Sequence, residues 1–585
     1  MVRFLVRLFA AIGLLALVLV VGGSIAAWRF MTAEEPTPER IVIEFDFDRA
    51  LIEYVPRDPV AELLFGRQPA LRDLVDALDR ARMDPRVHGM VARFGGDRFG
   101  LAEAQELRAA VERFRDSGRF ALAFADSFGE FGPANVAYYL ASGFDEIWMQ
   151  PVGMLGLTGI SAEVPFAREA LDKLEIDPEI AQREEYKTFA NLFTETGFTP
   201  AHREMTESLV NELSDQLVGG VARGRNLTPE AVTAAIDRAP LLDREAVEAK
   251  FVDRLGYADE IREAALARAG AGAGYMDALD YLDAAGRPNV DGPKVALIFG
   301  VGGIERGESG VSPLLGQPSM GAQTIVHAFD EAIDDPAVRA ILFRIDSPGG
   351  SAVGSESIRR AVHRARLAGK PVVVSMGASA ASGGYWIAMG ADRILAQPGT
   401  LTGSIGVVAG KMVTDGLWQE LGISWESVAR GRHATMWSAL TVFSEEERER
   451  LAAMLDDLYG AFTARVAEGR DLPVPAVRDI AKGRVWTGSQ AHALGLVDEL
   501  GGLEEALAST RGLMGLEPGA PVRIDTYPRP ADRFERLLAI ATGSRVGETA
   551  LATRLRSLTG HLEPMLRIMA AGHVLTAPDV RIGTR

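Results

Sequence analysis

The 585-residue chain contains no cysteine. Thiol catalysis, disulfides, thiolate zinc sites and a lipidated cysteine anchor are therefore excluded. Positive charge is also scarce: Lys plus Arg is 62 against 80 Asp plus Glu, a net charge of −18. That balance argues against wrapping nucleic acid or docking broadly on anionic lipid. Of the basic residues only seven are lysine: Lys173, Lys187, Lys250, Lys294, Lys370, Lys411 and Lys482. Arginine keeps its proton at working pH and lysine can lose it when desolvated, so a neutral amine has seven candidates. There are eight scattered histidines and no G-x-S-x-G elbow, so a Ser-His-Asp triad is not readily drawn. What is present is ordinary: 47% hydrophobic, 24% charged and 7% aromatic residues, enough for large cores and for up to about four domain-sized units.

The N-terminus, 1–30, begins with Arg3 and Arg7, and Leu8 to Trp28 carries no charge. Twenty-one helical residues at ~1.5 Å each span ~30 Å, the thickness of a bilayer core. The arginines precede the run, so the positive-inside rule puts the N-terminus in the cytoplasm and the body outside. A cleaved signal peptide is the competing reading, since Ser24-Ile25-Ala26 fits a small-x-small cleavage site.

The remainder is an internal duplication. Tyr138–Gly159 matches Tyr385–Gly406 at a constant offset of 247: Ala141, Gly143, Asp145, Gln150, Pro151, Gly156 and Gly159 recur as Ala388, Gly390, Asp392, Gln397, Pro398, Gly403 and Gly406. Downstream, Val221-Ala222-x-Gly224-Arg225-x-Leu227 matches Val466-Ala467-x-Gly469-Arg470-x-Leu472 at offset 245, and Val252-Asp253 matches Val497-Asp498. Upstream, Asp84-Pro85 pairs with Asp335-Pro336. Each half alternates short β-rich runs with amphipathic helical patterns, which predicts parallel sheets covered by helices. In the second half the expected strands are 295–299, 340–345 and 372–375, and the expected helices 322–333 and 355–367. The expected divisions are an anchor at 1–30, halves at 40–268 and 294–527, a Gly/Ala-rich linker at 269–293 and a helical tail at 528–585.

Two segments of the second half look suited to an oxyanion. Asp346-Ser347-Pro348-Gly349-Gly350 follows a buried strand, and paired glycines let a backbone N–H such as that of Gly350 face a cleft. Ala381-Ser382-Gly383-Gly384-Tyr385-Trp386 places a serine at a helix N-terminus beside the Gly383 N–H, where developing negative charge is favoured. Taken singly, the first segment reads as a turn and Ser382 as a helix cap. If Ser382 is a nucleophile, a lysine is the expected base.

Ser347-Pro-Gly-Gly350, Ala381-Ser-Gly-Gly-Tyr-Trp386 and Thr400-Leu-Thr-Gly-Ser-Ile-Gly406, in this order, resemble the SppA-type signal peptide peptidases. The duplicated length and N-terminal run resemble the long form, protease IV. The resemblance runs from the anchor to about residue 527. It implies an α/β fold of two tandem crotonase-like (Clp protease-like) domains, a Ser–Lys dyad, and no cofactor or metal. Carried onto this sequence, the nucleophile is Ser382. The base is Lys187, within Glu184-Glu185-Tyr186-Lys187-Thr188-Phe189. The serine that helps hold the amine is Ser404. The resemblance further implies peptide substrates (signal peptide remnants), a homotetramer, and a place in the bacterial inner membrane with a periplasmic body.

The repeat bears on these residues from within. At offset 247 Ser382 aligns with Asn135, Ser404 with Leu157 and Lys187 with Ala434, so each half lacks what the other keeps. A lysine base must be shifted: a free amine titrates near ~10.4 and a general base works best near ~7–8, a displacement of about 4 kcal/mol that burial supplies. Tyr186 and Phe189 are the expected apolar cover, and Glu184 and Glu185 are expected to point outward. The sequence thus predicts a membrane-anchored serine endopeptidase. A crotonase-type acyl-CoA enzyme and a non-catalytic membrane scaffold are the rival readings.

Overall fold

The computed structural model describes residues 38–54, 68–311 and 318–529, with short strands at Leu575–Thr576 and Ile582–Gly583. The expected anchor lies outside these residues, as does the expected helical tail apart from those two strands. Among the described residues no helix is long and apolar enough to cross a membrane.

Two largely parallel sheets organise the chain. The first half forms six strands in the order Ala273–Asp277, Arg40–Asp46, Val87–Phe94, Phe120–Ala125, Glu146–Met149 and Arg254–Leu255. The second half repeats the plan around Lys294–Val301, Val338–Ser347 and Val372–Ala381, with Arg523–Tyr527 on one edge and Leu401–Gly403 and Val485–Thr487 beyond the other. The central strands are buried on both faces. Phe120-Ala-Leu-Ala-Phe-Ala125 and Val372-Val-Val-Ser375 therefore read as unbroken apolar or small runs rather than alternating ones. Helices such as Leu101–Asp116 and Ala352–Leu367 close the faces. The stretch 269–293 is structured: it carries the sheet edge Ala273–Asp277 and the helix Ala278–Ala285.

Long helices Pro200–Arg225 and Glu445–Arg470, each of 26 residues, occupy equivalent places at offset 245. Both open on a hydroxyl cap, Thr199 accepting from the His202 N–H and Ser444 from the Glu447 N–H. Both end on a left-handed residue, Asn226 and Asp471.

The halves are interlocked by one crossing strand. Asp177–Arg183 leaves the first half and pairs antiparallel with Val407–Val413 of the second, in the register Val407↔Arg183 to Val413↔Asp177. A buried ionic cluster joins them elsewhere. Arg344, on the strand leading to Ser347, is 1% exposed. Its guanidinium meets Glu53 at 2.6 Å, Glu106 at 2.8 Å and Ser375 Oγ at 2.8 Å. Two chain segments of the first half thereby grip the strand that carries the Ser347–Gly350 turn. A pair buried this deeply is costly to break from one side, because the remaining charge is left without a partner.

Candidate active site

Three polar side chains meet where the crossing strand ends. Past Arg183 the chain turns so that the Tyr186 N–H donates to the Lys482 carbonyl at 3.1 Å, which carries Lys187 into the second half. Gly483 has positive φ, and a Cβ there would stand 2.5 Å from the Lys187 nitrogen, so only glycine allows this approach. Lys187 is fully buried. Its Nζ lies 2.9 Å from Ser382 Oγ, 3.0 Å from Ser404 Oγ and 3.2 Å from the Ser404 carbonyl oxygen.

Burial alone, with no carboxylate opposing it, pulls the Lys187 amine down to about 7. Glu184 and Glu185 are exposed, and Glu185 faces Lys482 at 3.7 Å. Tyr186 packs against the Met205–Leu209–Val485 cluster and Phe189 against Phe193. Lys187 is thus buried while its acidic neighbours in sequence are exposed.

Ser382 joins the strand Val372–Ala381 to the helix Gly383–Ala388 and has φ 54°. That left-handed conformation is uncommon for a residue with a Cβ, and such strain gathers at functional sites. Its N–H donates to the Gly403 carbonyl at 2.8 Å. Ser404, also left-handed at φ 50°, is held by its N–H donating to the Arg484 carbonyl at 2.7 Å. Two strained serines therefore sit on adjacent strand ends and converge on one amine.

The glycines sit against this group. A Cβ on Gly349 would lie 2.8 Å from the Gly383 nitrogen, and one on Gly383 would lie 3.0 Å from the Gly350 nitrogen. The turn Ser347–Gly350 is thus packed on the first residues of the Gly383–Ala388 helix, whose leading N–H groups have no intrahelical acceptor. Chemically, the arrangement offers a hydroxyl beside a basic amine, with backbone N–H groups nearby for a developing negative charge.

The chain is similar to known peptidases. The family model described as "Peptidase family S49" matches residues 129–271 and 364–517. The chain is 31% identical to "Protease 4" of Salmonella typhi over 82% of this chain and 77% of that protein. The chain belongs to peptidase family S49. It is 27% identical to "Serine protease SPPA, chloroplastic" of Arabidopsis thaliana over 83% of this chain and 71% of that one. "Putative signal peptide peptidase SppA" of Enterococcus faecium is 33% identical over 35% of this chain and 59% of its own length. As a member of family S49 the chain is a mixed α/β serine protease, and the two matched segments fall in its two halves.

The S49 chain also holds residues that sequence reasoning missed. Asp346, directly before Ser347, accepts from the Ser379 N–H at 2.9 Å and is pushed up to about 6 by burial and by Glu53. Glu103 is pushed up to about 8 by burial and by Asp346. Both belong to the junction built around Arg344. The only sequence signal was a charged residue inside apolar strand patterns at 344 and 346, which does not say what it faces.

Proposed function

We propose that Ser382 is the nucleophile, Lys187 its general base and Ser404 the residue that orients the amine. The observation that carries this reading is the 2.9 Å approach of Nζ to Oγ by an amine that burial brings to about 7. The neutral amine takes the Ser382 proton as Oγ attacks the peptide carbonyl. The N–H groups of Gly350 and Gly383 receive the oxyanion. The protonated Lys187 then gives its proton to the leaving amine, and water, deprotonated by the same amine, releases the acyl group. Ser404 holds the amine between these transfers.

The substrates are extended apolar peptides, with remnant signal peptides as the physiological class. The chain's own Leu575–Thr576 lies antiparallel along Gly349–Gly350, which supports an extended peptide on that edge. The segment 1–30 anchors the protein in the bacterial inner membrane with its catalytic body on the periplasmic side. The two halves, 40–268 and 294–527, are tandem crotonase-like (Clp protease-like) domains connected through 269–293, and four copies assemble. Peptidase assay of wild type beside Ser382→Ala and Lys187→Ala tests the dyad. Activity surviving in either variant, with the fold intact, removes that residue from the chemistry.

A further inference from the structure

The segment 481–486 touches both the lysine loop and the Ser404 turn and carries no member of the proposed dyad. It leads from the short helix Val474–Ile480 into the strand Val485–Thr487. That strand runs antiparallel to Leu401–Gly403, with Val485 opposite Gly403 and Trp486 opposite Thr402. On the way Lys482 has φ 50° and Gly483 φ 80°. Two consecutive left-handed residues, the first with a Cβ, persist only where the surroundings fix them.

Three successive peptide groups do so. The Lys482 carbonyl accepts from the Tyr186 N–H at 3.1 Å, the Gly483 N–H donates to the Ile405 carbonyl at 2.8 Å, and the Arg484 carbonyl accepts from the Ser404 N–H at 2.7 Å. The residue before Lys187, the residue after Ser404 and Ser404 itself are therefore registered against one short stretch of chain.

The Arg484 side chain locks that register. Its guanidinium carbon lies 4.9 Å from the centre of the Tyr186 ring and 4.3 Å from that of Trp486. Both terminal nitrogens reach the Glu204 carboxylate, Nη2 to Oε1 at 2.9 Å and Nη1 to Oε2. Arg484 holds the Glu204 carboxyl below its ordinary value. A planar cation between two rings combines stacking with a forked ion pair, which lysine does not reproduce. Trp486 is fixed in turn: its Nε1–H donates to the Ile480 carbonyl at 3.0 Å, and a Cβ on Gly403 would stand 2.9 Å from its Cδ1. One ring of the clamp thus adjoins Lys187 in the first half, and the other packs on the residue before Ser404 in the second.

The repeat supplies an independent observation. At offset 245 Lys482, Gly483, Arg484 and Trp486 correspond to Asp237, Arg238, Ala239 and Leu241. The strand–helix units that follow anchor the alignment, Leu241–Leu242 with Asp243–Glu248 and Val485–Thr487 with Gly488–Ala493. Asp237, the counterpart of Lys482, has φ −65°. The half without a nucleophile therefore also lacks the left-handed turn, the glycine, the arginine and the tryptophan. A clamp needed for folding alone would be needed in both halves.

We infer that Arg484 is a positioning residue for the proposed dyad: gripped between Tyr186 and Trp486 and anchored on Glu204, it holds the Lys187 amine in register with Ser382 and Ser404. It acts through Tyr186 on one side and through Ser404 on the other. The inference rests on the dyad reading given above and adds to it the element that aligns the base.

Burial is the cause of the lowered Lys187 amine, and none of the charged side chains on the adjoining segments, Glu184, Glu185, Glu204, Lys482 and Arg484, contributes to it. Releasing the Tyr186 ring loosens the backbone that leads into Lys187 and admits water to the amine, which raises its affinity for a proton. The clamp therefore governs how much neutral, aligned amine is present and leaves peptide binding untouched.

The test is steady-state hydrolysis of a fluorogenic apolar peptide by the full-length protein from pH 6 to 9.5. Arg484→Leu should lower kcat at pH 7 by ~10–100-fold, within the range of general-base positioning, with KM within about twofold of wild type. Its kcat/KM midpoint should move up from near 7 toward ~8, so that the deficit narrows at alkaline pH. Arg484→Lys, which keeps the charge without the planar fork, should fall between Arg484→Leu and wild type in both quantities. Glu204→Gln should move the midpoint up by less. That direction is diagnostic, because loss of a nearby carboxylate acting through charge alone would move it down. A wild-type profile in Arg484→Leu overturns the inference. So does a loss that is equal at every pH with the midpoint unmoved, as a purely structural residue gives. If Arg484→Leu fails to fold, Arg484→Lys and Glu204→Gln carry the test, and unmoved midpoints in both overturn it. Lys187→Ala is assayed alongside. An inactive Lys187→Ala beside a normal Arg484→Leu leaves the dyad standing and removes the clamp. An active Lys187→Ala removes the dyad and the clamp with it.

Discussion

The N-termini of two equivalent helices, Asn135–Ala141 and Gly383–Ala388, have met opposite fates. A helix N-terminus presents unpaired N–H groups and attracts negative charge. In the first half that demand is met permanently. The Asp97 carboxylate accepts from the Ala137 N–H at 2.7 Å, and Asn135 exchanges hydrogen bonds with Gly159 at 2.8 and 2.9 Å. In the second half the corresponding loop ends in Gly349-Gly350, with Ser382 in a left-handed conformation beside it. One half satisfies these groups with its own side chains. The other holds backbone strain at Ser382, and in the function proposed above its N–H groups receive a charge that appears during reaction. Folding satisfaction and catalytic readiness thus compete for the same backbone groups.

The largest expected effect follows from that contrast. Ser382→Ala should lower peptide hydrolysis by on the order of 10^4–10^6-fold, as loss of a covalent nucleophile does elsewhere. Adding Asn135→Ser to that variant should restore nothing, because Asp97 already holds the helix N-terminus and no amine is positioned there. Recovery of turnover in the double variant would show the two sites to be interchangeable and break the comparison.

Lys187 sharpens it next. Lys187→Arg should be as inactive as Lys187→Ala, because guanidinium does not give up its proton at working pH. In wild type kcat/KM should rise with pH around a midpoint near 7, since burial lowers the amine and its neutral form predominates above that value. A flat profile between pH 5 and 9, or an active arginine variant, would remove the amine from the rate-limiting proton transfer. A weaker effect is expected at Ser404, whose hydroxyl lies 3.0 Å from the Lys187 Nζ: Ser404→Ala should cost ~10–1000-fold, within the range of general-base positioning. Wild-type turnover with an unchanged pH profile would reduce Ser404 to a turn former.

Much of this was legible in the sequence for identifiable reasons. Central strands buried on both faces announce themselves as apolar runs, so 295–299, 340–345 and 372–375 became Lys294–Val301, Val338–Ser347 and Val372–Ala381. The helices expected at 322–333 and 355–367 are Ala322–Asp334 and Ala352–Leu367. The strand extensions at 346–347 and 376–381 were hidden because they consist mostly of aspartate, serine, glycine and alanine, which carry little β signal. Ser382 and Lys187 could be paired across 195 residues because the repeat shows which half lacks each one. The crossing strand Asp177–Arg183 was not legible, since its sequence is polar and its pairing depends on an edge more than 200 residues away. Nor was the Arg344 junction, because burial of a charge depends on which carboxylates arrive from elsewhere in the fold. The role of Asp97 was hidden for the same reason: an aspartate in a Gly-Gly-Asp-Arg turn reads as exposed until the helix it caps is in place.

Asp97 gives the smallest expected effect and the most direct probe of the silent half. Burial pushes its carboxyl up to about 6, against the downward pull of the N–H groups at 135–137. The folded chain therefore holds a proton there that the unfolded chain releases near pH 4. Stability from this group is fully present below pH 4 and declines as pH rises through about 6. A displacement of about two units corresponds to ~3 kcal/mol at most. Asp97→Asn keeps an acceptor for the Ala137 N–H and removes the titration. Between pH 4 and 7 the wild type should lose stability relative to Asp97→Asn, read as diverging denaturant midpoints. Peptide hydrolysis should be the same in both, because Asp97 serves a helix that carries no nucleophile. Parallel midpoints across that range would mean that Asp97 is ionised throughout. An activity change in Asp97→Asn would instead mean that the first-half helix is coupled to the dyad, and that the division between a satisfied half and a reactive half is too sharp.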